Sequence, residues 1–189
     1  MNLPNKLTIA RVIAVPFYVA FMLISAVPYN YLWALILFGA ASVTDMIDGK
    51  IARKNNLVTD LGKFLDPLAD KVLVSAALIC MVELGWTASY LVIIIISREF
   101  IVSALRLAAA SSNDRTVIAA GIWGKLKTAF TMGAISVMTV LHILSDNFGL
   151  TGAAFPAGII SDILMWISTI LTVISGIIYI VSYRHLLKG

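Results

Sequence analysis

The chain has 189 residues, 60% apolar and 13% charged, with a formal net charge of +4. Its mean hydropathy is +0.97. Soluble domains are about 45–50% apolar and about 25% charged, so this balance excludes an ordinary soluble domain and points to a bilayer.

A membrane span needs about 20 mostly apolar residues. Six stretches reach that length, at 7–28, 31–53, 62–86, 88–110, 117–143 and 160–184. The sequence therefore predicts an all-α integral membrane protein, a single domain over residues 1–189 with six transmembrane helices. The first stretch carries Pro4, Asn5, Thr8 and Arg11 at or before its start. It is too long for a signal peptide and lacks a small-residue cleavage site, so it reads as a retained helix. Pro28 and Asn30 separate it from the second stretch, which ends in a polar segment around Asp45–Arg53. The third begins at Gly62 and carries Asp66, Pro67 and Asp70, and Gly85 follows it. The fourth holds Arg98 and Glu99 near its middle and Arg106 near its end. Lys125 and Lys127 lie at the start of the fifth, and a loop at 145–158 leads to the sixth.

The basic residues set the orientation. Apart from Arg98, about halfway through the fourth stretch, the fourteen Lys and Arg fall at or near the chain ends or the second and fourth connections. The first, third and fifth connections carry none, only acids such as Glu83, Asp146 and Asp162. The positive-inside rule then predicts that both termini and the Asp45–Asp70 segment lie on the cytoplasmic side. Cys80 is the sole cysteine, so no disulfide or thiolate metal site forms within one chain. It reads as a small buried hydrophobe. His142 and His185 read as interfacial or helix-end residues rather than ligands.

Between Asp45 and Asp70 the chain reads D-x2-D-G-x2-A-R-x8-G-x3-D-x3-D. At average usage this spacing arises on the order of once in 10¹⁰ start positions. A charge near hydrocarbon costs roughly 2.5 kcal/mol or more, so clustered carboxylates in apolar segments mark function. A helix turns about 100° per residue, which places Asp45, Asp48, Gly49 and Ala52 on one stripe about 100° wide. Gly62, Asp66 and Asp70 fall within about 80° of one another if their helix runs through Pro67. Pro67 is best tolerated in a first turn, where no backbone donor is needed.

Carboxylates without His or Cys select Mg²⁺ or Mn²⁺. Four such groups repel one another and stay ionised together only beside cations. Two divalent ions would clamp a diphosphate, neutralising charge on both attacked and leaving oxygens. Gly49, Ala52 and Gly62 would let a substrate approach the backbone, and Arg53 would grip a phosphate. The competing reading is that the small residues only pack helices.

This segment resembles the signature of the CDP-alcohol phosphotransferases, with all eight positions present at the family's spacing. The resemblance implies six transmembrane helices, usually in a homodimer, with a site open to the cytoplasm. It implies that Asp45, Asp48, Asp66 and Asp70 are metal ligands for paired Mg²⁺ or Mn²⁺ ions. Asp70 would also be the general base, and Gly49, Ala52 and Arg53 would lie along the cytidine diphosphate.

Flanking segments resemble the bacterial branch that joins CDP-diacylglycerol to sn-glycerol 3-phosphate. They are Pro4-Asn5 with Thr8 and Arg11, the segments 56–59 and 62–71, Arg98-Glu99-Phe100, and Gly124 through Thr128. A dianionic acceptor needs cations, and Arg106, Lys125 and Lys127 are the candidates for its phosphate. Topology and contact with anionic lipid are the alternative role for these three. Arg98 and Glu99 read as a support pair, with Lys63 as a further supporting cation. Asn5, Thr8 and Arg11 would cover the nucleotide, unless Arg11 is an interfacial anchor. The expected partners are these two substrates, membrane lipids and a second copy of the chain, not nucleic acid. The expected location is the bacterial cytoplasmic membrane. Two alternatives stay open: a family member using serine, inositol phosphate or phosphatidylglycerol as acceptor, and a cation carrier with carboxylates along an ion path.

Overall fold

Six helices follow one another in a computed structural model of the chain, with no strand among the described residues: α1 Leu3–Leu23, α2 Asn30–Lys54, α3 Asp60–Glu83, α4 Ser89–Ser111, α5 Ile122–Phe148 and α6 Ala157–Ser182. The structure describes residues 3–54, 60–111, 121–150 and 156–182, with side chains described for 8–44, 69, 71–106, 121–146, 149–150 and 156–182. Each expected stretch corresponds to one helix.

The boundaries shift for identifiable reasons. The first stretch was expected to reach residue 28, but α1 stops at Leu23. Beyond it the backbone turns, with Val27 N–H on the Ile24 carbonyl and Asn30 N–H on the Val27 carbonyl. Tyr29 closes this turn at φ 55°, a left-handed conformation unusual for a bulky residue. The fifth helix runs on to Phe148, past the expected end at 143, and Gly149 at φ 66° terminates it. Gly85, at φ 71°, does the same for α3. α3 starts at Asp60 and runs through Pro67 as its eighth residue, past the first turn where a proline is best tolerated. An acidic residue at the first helical position suits the positive end of the helix dipole, which favours that earlier start.

Among the described residues, two helices, α5 over Ile122–Asp146 and α6, are long and apolar enough to cross a membrane by length and composition. Thr8–Leu23 and Asn30–Thr44 are shorter apolar helical segments. The chain divides into two compact units.

The first unit comprises Met1–Leu84 and Ile135–Ala157. In it α1 packs against both α2 and α3. Thr8, Arg11, Tyr18 and Met22 are buried at helical spacing along α1. Ala34, Phe38 and Ala41 form the buried stripe of α2, and Ala69, Leu73 and Ala77 that of α3. The Tyr18 and Phe38 rings meet at 5.9 Å between centroids. Cys80 is buried here with a free thiol.

The second unit comprises Gly85–Ala134 and Gly158–Gly189. Its α6 has the reverse of a soluble helix's pattern. The buried side carries Ser161, Ser168, Thr169, Thr172 and Ser175, while Ile159, Ile163, Ile170 and Ile177 are exposed. A large exposed apolar face is the informative departure from soluble packing, and it matches a hydrocarbon surround. Hydroxyls in such helices bond the carbonyl one turn back, as Thr169 does to Met165 at 2.8 Å.

Candidate active site

The carboxylate motif lies on two unbroken helices. Positions 45, 48, 49, 52 and 53 belong to α2 and positions 62, 63, 66 and 70 to α3. The side chains of Asp45, Asp48, Gly49, Ala52, Arg53, Gly62, Lys63, Asp66 and Asp70 lie outside the described residues, as does that of Asn5. Helical register can still be followed. Residues 45, 48 and 52 continue the alternating three- and four-residue spacing of Ala34, Phe38 and Ala41. Residues 66 and 70 continue that of Leu73 and Ala77 on α3. Just before the motif, Ser42 and Thr44 bond the carbonyls of Phe38 and Ala40 at 2.7 and 2.6 Å. Their hydroxyls are thereby satisfied within the helix.

A hard divalent cation fits this donor set. The helices stay continuous through both carboxylate pairs, so each keeps the i, i+3 or i, i+4 spacing that puts two acids on one helix face. The donors are oxygens only, the preference of Mg²⁺ and Mn²⁺. Among the described residues, no group of three or more His, Cys, Asp or Glu could hold a metal ion.

On α1, Thr8 and Arg11 are 1% and 3% exposed. They occupy the same buried stripe as Tyr18 and Met22, three residues apart. Arg11 is therefore turned inward.

The second unit brings together charges from α4 and α5. Arg98 Nη1 donates to Glu99 Oε1 at 3.0 Å. Lys127 Nζ donates to the same carboxylate oxygen, so one acceptor holds two cations. Lys127 is 3% exposed, which is tolerable in apolar surroundings only with a partner. Arg98 Nη2 donates to Ser175 Oγ on α6 at 2.6 Å. Ser103, one turn beyond Glu99, bonds the Glu99 carbonyl at 2.7 Å and so keeps its hydroxyl inside the helix.

The three expected phosphate cations are not equivalent. The Arg106 guanidinium lies over the Tyr179 ring, 5.3 Å from its centroid. Lys127 joins Glu99, whereas Lys125 is exposed. Residues two apart on a helix point about 200° apart, so the pair divides between two faces. Arg98 and Lys127 thus share Glu99, while Arg106 stacks on Tyr179.

Sequence reasoning passed over Ser175, Gly176 and Tyr179. They are uncharged and sit in a strongly apolar helix. The signal present was the spacing of small polar residues at 161, 168, 172 and 175, which marks one face of α6.

Comparison with known proteins adds independent findings. The family model described as CDP-alcohol phosphatidyltransferase matches residues 1–174. The CDP-diacylglycerol–glycerol-3-phosphate 3-phosphatidyltransferase of Bacillus subtilis (strain 168) is 43% identical over 186 residues, covering 93% of this chain and 91% of that protein. The Haemophilus influenzae protein of the same name is 40% identical over 190 residues, covering 100% and 94%. That of Rickettsia bellii is 37% identical over 178 residues, covering 94% and 93%.

Proposed function

As the chain belongs to the CDP-alcohol phosphatidyltransferase family, a membrane-embedded family of transferases, we propose that it transfers the phosphatidyl group of CDP-diacylglycerol to sn-glycerol 3-phosphate. The products are phosphatidylglycerophosphate and CMP, which makes this a step of phospholipid biosynthesis. The observation that carries the reading is the 37–43% identity to relatives named for this reaction over most of the chain. The intact eight-residue motif supports it from the side of chemistry.

In this reading Asp45, Asp48, Asp66 and Asp70 hold two Mg²⁺ or Mn²⁺ ions. Those ions supply charge neutralisation at the donor diphosphate. Gly49, Ala52, Arg53 and Gly62 line the cytidine diphosphate, and Asn5, Thr8 and Arg11 cover the nucleotide. The inward position of Thr8 and Arg11 supports that role over an interfacial one. Arg106 and Lys127, with Lys125 at the exposed edge, hold the acceptor phosphate, and Arg98, Glu99 and Lys63 support them. The burial of Lys127 beside Glu99 and the stacking of Arg106 on Tyr179 support a held, cation-lined site for an anionic acceptor.

Asp70 takes the proton from the C1 hydroxyl of glycerol 3-phosphate. That oxygen attacks the phosphorus bearing the diacylglycerol, a new P–O bond forms, and the bond to the CMP oxygen breaks. Positioning and charge neutralisation account for most of the barrier reduction, since no covalent enzyme intermediate is needed. The whole chain acts as one catalytic domain of six spans in the bacterial inner membrane. Both termini and the carboxylates face the cytoplasm, as the distribution of Lys and Arg supports. The working form is a homodimer.

The test is a turnover assay of the purified protein with CDP-diacylglycerol and a panel of acceptors. CMP release with glycerol 3-phosphate, and not with serine or inositol phosphate, is the expected result. Release with inositol phosphate instead would move the chain to another branch of its family.

A further inference from the structure

Resting on the reading that the cations of α4 and α5 hold the acceptor phosphate, we propose that one face of α6, formed by Ser175, Gly176 and Tyr179, positions both arginines of α4 and so tunes acceptor binding. None of the three needs to touch the acceptor. They are positioning residues.

Ser175 fixes the direction of Arg98. Its Oγ accepts from Nη2 at 2.6 Å, which leaves Nη1 to donate to Glu99 at 3.0 Å. Glu99 presents the same oxygen to Lys127, so the direction set at α6 passes through Arg98 and Glu99 to the buried ammonium. Gly176 makes the approach possible. A Cβ there would stand 3.1 Å from Arg98 Cγ, tighter than ordinary contact, and 3.6 Å from its Nε, at ordinary contact. Tyr179, one helical turn beyond Ser175, carries the Arg106 guanidinium at 5.3 Å from its ring centroid. Residues 175, 176 and 179 span about 100° of the helix surface, so a single face serves both arginines.

A long cationic side chain in an apolar surround snorkels toward water unless it is held. Arg98 lies near the middle of α4, and Ser175 gives its guanidinium an acceptor there. The geometry thereby keeps one cation deep and stacks the other a few turns away. An acceptor phosphate placed by these groups gains affinity from their fixed direction rather than from added charge.

The experiment is steady-state kinetics of the full-length protein in lipid–detergent micelles with Mg²⁺, reading KM for glycerol 3-phosphate, KM for CDP-diacylglycerol and kcat. Ser175→Ala, Gly176→Ala and Tyr179→Leu should each raise KM for glycerol 3-phosphate about five- to thirtyfold. KM for CDP-diacylglycerol should stay within about twofold in the same variants. Tyr179→Phe retains the ring and should restore near-wild-type acceptor KM. Ser168→Ala, equally buried on α6 but two turns away from the pair, should change neither constant. If Gly176→Ala fails to fold, Ser175→Ala and Tyr179→Leu still decide the question. A rise in both KM values together, or an equal effect from Ser168→Ala, would reduce α6 to helix packing and overturn the proposal. Lys127→Met separates the two readings. If it raises acceptor KM while the α6 variants do not, the positioning role alone falls. If it leaves acceptor KM unchanged, the acceptor-site reading falls and takes this one with it.

Discussion

Lys127 on α5 and Arg98 on α4 donate to one and the same oxygen of Glu99. A single carboxylate thus neutralises one of two closely placed cations and holds both in place. Removing it would leave like charges together in a largely apolar setting, which costs more than a lost hydrogen bond. Glu99→Ala should destabilise the protein by about 2–3 kcal/mol, and Glu99→Gln, which keeps an oxygen acceptor, by less. Thermal unfolding in detergent measures both. An unchanged midpoint in Glu99→Ala would show that the cluster contributes nothing to stability.

Lys125 and Lys127 should separate in function despite lying two residues apart. Lys127→Met is expected to raise KM for glycerol 3-phosphate roughly tenfold or more, about 1.4 kcal/mol of lost binding. Lys125 is exposed and screened, so Lys125→Met should change that KM by less than about threefold, with the effect fading at high salt. Equal effects at low and high salt would place Lys125 inside the pocket as well.

Asp70→Asn should lower kcat by about 10²–10⁴-fold, the range ascribed to a positioned general base. Unfolding with and without Mg²⁺ checks that the variant still folds and binds the ion. Near-wild-type turnover from such a protein would remove Asp70 from the base role.

Chelation should abolish turnover, with Mg²⁺ or Mn²⁺ restoring it and Zn²⁺ failing to do so. Binding also stabilises the folded chain, by about 2.7 kcal/mol when the ion is at 100 times its dissociation constant. That shift in unfolding midpoint should vanish when Asp45, Asp48, Asp66 and Asp70 are all replaced by Asn. A shift that persists would locate the ion elsewhere.

The six helices were legible because a span has a minimum apolar length, and nothing in the chain competes with that signal. The ends were less legible. Residues 24–28 are apolar enough to extend α1, but the backbone turns there through Tyr29. The polar run at Ser145–Asn147 looks like a loop, yet α5 continues through it until Gly149. The carboxylate motif declared itself through charge at fixed spacing. Lys125 and Lys127 were grouped by sequence proximity, although helical geometry already sets them on different faces. Ser175 and Tyr179 were invisible because their part is to hold other side chains, and composition carries no mark of that.

The pattern along α6 also fixes its azimuth. A rotation by one residue, about 100°, would carry Ser168, Thr172 and Ser175 toward hydrocarbon and draw isoleucines against Arg98. Both changes are unfavourable, so the helix can be seated in one angular setting only. A key cut on one edge behaves this way, turning only the lock whose wards it matches. Replacements among the outward isoleucines should therefore be interchangeable with other apolar side chains, while the inward edge, where small hydroxyls alternate with the buried Met165 and Tyr179, tolerates few changes.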